Sequence, residues 1–75
     1  MVELVRYIAR SLVEKPDAVD VREVENAESI VIELRVDPDD MGKVIGKQGR
    51  IAKAIRTVVK AASVNSPKPV YVEII

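Results

Sequence analysis

The sequence predicts an α+β fold of order α-β-β-α-α-β, a three-stranded mixed sheet with three helices packed on one face. Two stretches place apolar residues at helical spacing, a third alternates strictly, and a final alternating stretch is reached only across a helix. Helices on one side of a small sheet bury both apolar faces in one interior, and no repeat or linker interrupts residues 1–75, which read as one domain.

Residues 3–15 read as an amphipathic helix, with Leu4, Val5, Ile8 and Leu12 at helical spacing and Glu3, Arg6, Arg10 and Glu14 on the surface. Pro16 blocks its continuation and Pro16-Asp17 makes a turn. An alternating run from Val19 to about Glu25 slips at Glu23-Val24, which predicts an irregular edge strand. Ser29 to Val36 gives the clearest strand pattern: Ile30, Ile32, Leu34 and Val36 share one face, Val31, Glu33 and Arg35 the other. These two runs should pair as an antiparallel hairpin.

Asp37-Pro38-Asp39-Asp40 reads as a helix start, with Asp37 as N-cap and Pro38 at the first helical position. A metal site built on the three aspartates is the sharper alternative, but capping accounts for their positions and no further ligand is evident. The short helix that follows should end at Gly46 in a left-handed turn. A longer helix starts near residues 48–50 and runs to about Val64. Ile51, Ile55, Val58, Val59 and Ala62 form its apolar side, nearly opposite Arg50, Lys53, Arg56 and Lys60. After a loop with two prolines, Val70, Val72 and Ile74 alternate as a last strand, which should lie parallel to a neighbour through a right-handed crossover.

Composition narrows the chemistry. With no cysteine and no histidine, thiolate or imidazole metal sites and histidine-based catalysis are excluded, no nucleophile–base pair is visible, and no cofactor or enzymatic activity is expected. No stretch approaches the roughly 20 apolar residues that span a bilayer. Glu3, Arg6 and Arg10 make the opening turns unlike a signal peptide, so a cytoplasmic protein is expected. The net charge is zero but segregated. Residues 1–40 carry five basic and eleven acidic side chains, and residues 41–75 carry seven basic and one acidic. That asymmetry can build a cationic face on a neutral chain, although an acidic half that only solubilises the fold would look the same.

The informative segment is Gly42-Lys43-Val44-Ile45-Gly46-Lys47-Gln48-Gly49-Arg50-Ile51. Two helices meet at a glycine-bounded corner, where backbone without Cβ atoms permits both a tight reversal and close approach of a ligand. Amides at the start of the second helix suit an anion, and Lys47 and Arg50 place charge beside it. Lys43, Lys53 and Arg56 can extend the positive track. Two glycines three apart are common in helix–turn–helix corners, so spacing alone is weak; the basic loop between two apolar-faced helices is what gives it weight.

This segment resembles the signature of KH domains, and the element order resembles their type II arrangement. From end to end the chain is similar to the small bacterial single-KH proteins of the KhpA type. The resemblance implies a single-stranded RNA binder whose Gly46-Lys47-Gln48-Gly49 loop clamps about four nucleotides. It also implies a cytoplasmic RNA chaperone or post-transcriptional regulator that can form a homodimer and pairs with a larger Jag-type RNA-binding protein. A link to cell-wall biogenesis and cell shape is part of the same implication. In this reading Val44, Ile45 and Ile51 floor an apolar groove, with Ile45 and Ile51 equally explicable as core. Tyr7 and Tyr71, the only aromatics, are expected in the core or an interface, so stacking should contribute little. Two rivals remain: a DNA-binding helix–turn–helix presenting Arg50, Lys53 and Arg56, and a protein-interaction module that dimerises through the last strand.

Overall fold

In the computed structural model, which describes residues 1–75, helix α1 (Val2–Leu12) leads into a 3-10 turn (Pro16–Ala18) and strands β1 (Asp20–Glu25) and β2 (Ile30–Arg35). A second 3-10 turn (Pro38–Asp40) opens α2 (Met41–Ile45). A third (Lys47–Gly49) joins it to α3 (Arg50–Ala62), and β3 (Val70–Ile74) closes the sheet. The strand order is β1-β2-β3, with β1 antiparallel and β3 parallel to β2, so the expected order and mixed sheet are both present.

The alternation of β2 sets the interior. Ile32 and Leu34 are fully buried, and Val5 and Ala9 of α1, Val44 of α2 and Ile55 and Val59 of α3 close over them. Val21 and Val72 contribute from the flanking strands. A fully buried aliphatic side chain of this kind adds about 1.5–3 kcal/mol. Asp37 behaves as its sequence context predicts, its Oδ1 accepting the Asp39 N–H at 2.9 Å.

Four expectations are corrected. The first helix stops at Leu12 and not near residue 15, because Val13 is extended and turns the next two amides toward Asp40. β1 is an edge strand but a regular one, pairing without interruption from Asp20↔Arg35 to Glu25↔Ile30. Its apparent slip arises because Glu23, paired with core Ile32, stays exposed at the sheet edge. α3 ends two residues early, and its buried face is Ala52, Ile55 and Val59, while Val58 and Ala62 turn outward. Of the two places expected for the tyrosines, the core is removed, with Tyr7 74% and Tyr71 57% exposed.

Candidate nucleic-acid interface

The corner between α2 and α3 is built from backbone that other residues resist. Gly46 has φ 76° and Gly49 φ 73°, and between them Gln48 also adopts a left-handed conformation, φ 58° and ψ 26°. The Gly46 N–H closes α2 on the Gly42 carbonyl at 2.8 Å, and the Gly49 N–H closes the turn on the Gly46 carbonyl at 3.1 Å. A Cβ on Gly46 would lie 2.6 Å from Ile51 Cγ1, so only glycine lets the chain reverse over that side chain. A Cβ on Gly49 would meet nothing, leaving open space above the turn. Lys47 and Gln48 project into solvent from the corner, and no side chain caps the first turn of α3. The Arg50 N–H is also taken, by the Lys47 carbonyl, so the corner can offer an anion only the amides that the turn leaves unbonded.

Charge is distributed to match. Lys47, Arg50, Lys53, Arg56 and Lys60 form no ion pair. Arg50 meets only Gln48 Oε1 at 3.5 Å, and Arg56 donates its Nε–H to the Val72 carbonyl at 3.4 Å. The acidic half instead binds its own cations: Arg6 with Glu3, Arg22 with Asp20, and Lys15 with Asp37 and Asp39. The hydrogen bond from Lys15 to Asp39, then the charge of Asp37, raises the ammonium pKa above the ordinary lysine value. Lys43 is the one expected contact residue already engaged, lying 3.5 Å from Glu14 Oε1.

The apolar residues assigned to a groove floor divide. Val44 is wholly enclosed in the core and has no surface to offer a ligand, which removes it from the floor. Ile45 is 37% exposed beside the corner, and Ile51 is half-buried against the core under Gly46. Along α3, Lys53, Arg56 and Lys60 line the flank toward β3 at helical spacing. A cavity of about 620 Å³ opens there between the end of α3, the 63–69 loop and β3. The sequence had shown Lys60 opposite the core, but not that a chain reversal brings Ser63, Ser66 and Tyr71 to the same hollow. No periodicity encodes that juxtaposition.

Asp40 is missing from the expected site and proves structural. It is 2% exposed, and its carboxylate accepts the Glu14 N–H at 3.3 Å and the Lys15 N–H at 3.0 Å. It thus ties the end of α1 to the start of α2, and it is spent on backbone amides and not held open for a metal.

Comparison with known proteins agrees with this geometry. A family model described as KhpA/KhpB, KH domain matches residues 2–74. The chain is 68% identical over its full length, and that of the relative, to RNA-binding protein KhpA of Clostridium perfringens. It is 64% identical over the full length of both to RNA-binding protein KhpA of Caldanaerobacter subterraneus subsp. tengcongensis. Among solved structures, Aquifex aeolicus Era bound to GDP.AlF4- superposes with a TM-score of 0.65 at 28% identity. Era in complex with MgGDPNP and nucleotides 1506-1542 of 16S ribosomal RNA gives the same score at 29% identity. In each case the match covers 97% of this chain and 28% of the Era chain.

Proposed function

The chain belongs to the KhpA/KhpB family of KH domains, a family of RNA binders and not of enzymes, and on that premise we propose that it holds single-stranded RNA at the Gly46–Gly49 corner. Backbone amides that the turn leaves unbonded take phosphate oxygens, and Lys47 and Arg50 neutralise them. Lys53 and Arg56 continue the track toward β3, with Lys43 joining once it exchanges Glu14 for a phosphate. Ile45 and Ile51 give the bases an apolar border. The observation that carries this reading is the exposed left-handed corner with Lys47 and Arg50 beside it, both free of any ion pair. A DNA-reading helix–turn–helix would use base-edge contacts from an exposed helix face and has no need of a corner shaped for close backbone approach.

The test is the double substitution Lys47→Asp with Gln48→Asp, compared with the parent chain in filter retention of a single-stranded RNA. Binding should fall at least tenfold while the circular dichroism spectrum is unchanged. Equal retention by both proteins would remove the clamp.

The same reading makes residues 1–75 one KH unit of a cytoplasmic RNA chaperone or post-transcriptional regulator. It acts with a larger Jag-type RNA-binding protein in cell-wall homeostasis and cell shape, on the support of the family resemblance. Self-association has a structural support of its own. Ile8, Leu12, Ile51, Ala54 and Val58 line a largely apolar hollow between α1 and α3, with Arg50 as its one charged residue. A second copy covering that hollow would bring two corners into one particle and raise the affinity for one RNA through effective concentration.

A further inference from the structure

The helices pack on one side of the sheet, against Val21, Ile32, Leu34 and Val72, and the other side is left open. Strand alternation and register fix what that open side presents. Val24, Val31 and Tyr71 stand in one row across β1, β2 and β3, with Val24 44% and Tyr71 57% exposed. The next row is Arg22, Glu33 and Glu73. Beyond it the chain reaches exposed Ile75, held in line by its N–H on the Leu34 carbonyl at 2.9 Å.

Apolar and charged rows together describe what would cover this face. An aromatic ring and two valines side by side are apolar surface that the chain does not bury by itself. Glu33 and Glu73 are neighbours on adjacent strands, and neither forms an ion pair. Like charges so placed repel and cost the free chain stability. Arg22, across from Glu33, is turned to Asp20 at 3.0 Å. Arg35, across from Asp20, forms no ion pair with either glutamate. A cation brought from outside relieves the repulsion, whereas a phosphate chain would add to it. The face therefore suits a protein and not a nucleic acid. Successive rows lie about 6.7 Å apart along the strands, and residues four apart on a helix rise by about 6 Å. A helix laid along the strands thus sets an apolar side chain on the Val24, Val31 and Tyr71 row. Four residues on, a lysine or arginine reaches Glu33 and Glu73, and the next turn returns an apolar side chain beside Ile75.

We infer that the open face of the sheet is a docking surface for a basic amphipathic helix of another protein, its apolar stripe on Val24, Val31 and Tyr71 and its cation between Glu33 and Glu73. The corner belongs to the helical layer, so the docked helix and a strand bound at the corner do not compete. The inference does not depend on what the corner binds.

Amide chemical-shift mapping of the 15N-labelled chain tests it. The probe is a synthetic amphipathic helix with leucines on one stripe and an arginine four residues after the first leucine; its control carries glutamate for arginine. Shifts should concentrate on Val24, Val31, Glu33, Tyr71 and Glu73, and the control should bind at least tenfold more weakly. Glu33→Gln with Glu73→Gln should lower affinity for the arginine peptide at least fivefold and raise the urea midpoint of the free chain. RNA retention by that double variant should stay within twofold of the parent's. Tyr71→Ser should lower peptide affinity at least tenfold; if circular dichroism shows this variant unfolded, the glutamine pair decides alone. Equal binding of the two peptides, indifference to the glutamine pair, or shifts centred on Ile8, Leu12 and Val58 would overturn the docking surface. So would a single-stranded RNA that shifts the same five amides, which would give the face to nucleic acid. Loss of self-association in Tyr71→Ser would give it to a second copy and likewise overturn the proposal.

Discussion

At the scale of single residues, the two glycines of the corner differ in a way that spacing could not reveal. Both sit at positive φ, where an L side chain costs about 1–2 kcal/mol. Only at Gly46 does a Cβ also collide with Ile51, at 2.6 Å from Cγ1, which adds overpacking of about 1–3 kcal/mol. Urea denaturation should therefore show Gly46→Ala losing about 3 kcal/mol, the sum of both terms, and Gly49→Ala about 1 kcal/mol from the backbone term alone. Near-equal losses would mean that Ile51 yields freely. Asp40 offers a second comparison. Asp40→Ala strands two amide donors and should cost about 2–3 kcal/mol, whereas Asp40→Asn keeps one acceptor and should cost less. The loop residues were legible in the sequence because their chemistry is local. Asp40 reads in the sequence only as part of a helix start, because its partners, Glu14 and Lys15, are 26 and 25 positions away.

At the scale of elements, α3 carries two surfaces on opposite sides of its buried row of Ala52, Ile55 and Val59. One flank is cationic and faces the cavity beside β3; the other is apolar and meets α1. The 100° periodicity that located this helix correctly drew its apolar arc too wide, because Val58 and Ala62 are hydrophobic yet not core. Val58→Asp should leave stability within about 0.5 kcal/mol, as for surface positions generally, since this side chain is already 44% exposed. Sedimentation of the same variant should show monomer where the parent chain self-associates, and an unshifted distribution would clear this flank of the role. Similarly, β1 looked irregular in sequence because burial, not pairing, fails along it; the ladder with β2 is complete.

For the whole molecule, a formal charge of zero conceals a partition between satisfied and unsatisfied cations. Those among the acidic elements are mostly paired, and those along α3 are free. Binding should therefore depend on salt in proportion to the few phosphates engaged. For single strands the slope of log K against log salt is about −0.7 per phosphate, so two to four contacts give roughly −1.5 to −3. A flat response would exclude phosphate contacts as the source of affinity. Stability should be insensitive to pH near neutrality, where no histidine or cysteine is present to titrate. Lys15, with its pKa raised by Asp39 and Asp37, stabilises the fold at all pH values below the unfolded lysine value of 10.5. That contribution is lost only as pH rises through its higher folded value. Element order, the strand pairings and the corner were thus readable from pattern and motif. The cavity at the end of α3 was not, because it depends on how a proline-containing loop brings β3 back alongside that helix.

The carboxylate of Asp40 acts as a tie rod between the first helix and the platform that carries the corner. A β-α-α-β unit shorn of residues 1–15 would keep the Gly46–Gly49 corner yet lose the anchor for α2, leaving the Asp40 side chain without its two amide donors. The opening helix is in that sense a splint that holds the corner in register from behind.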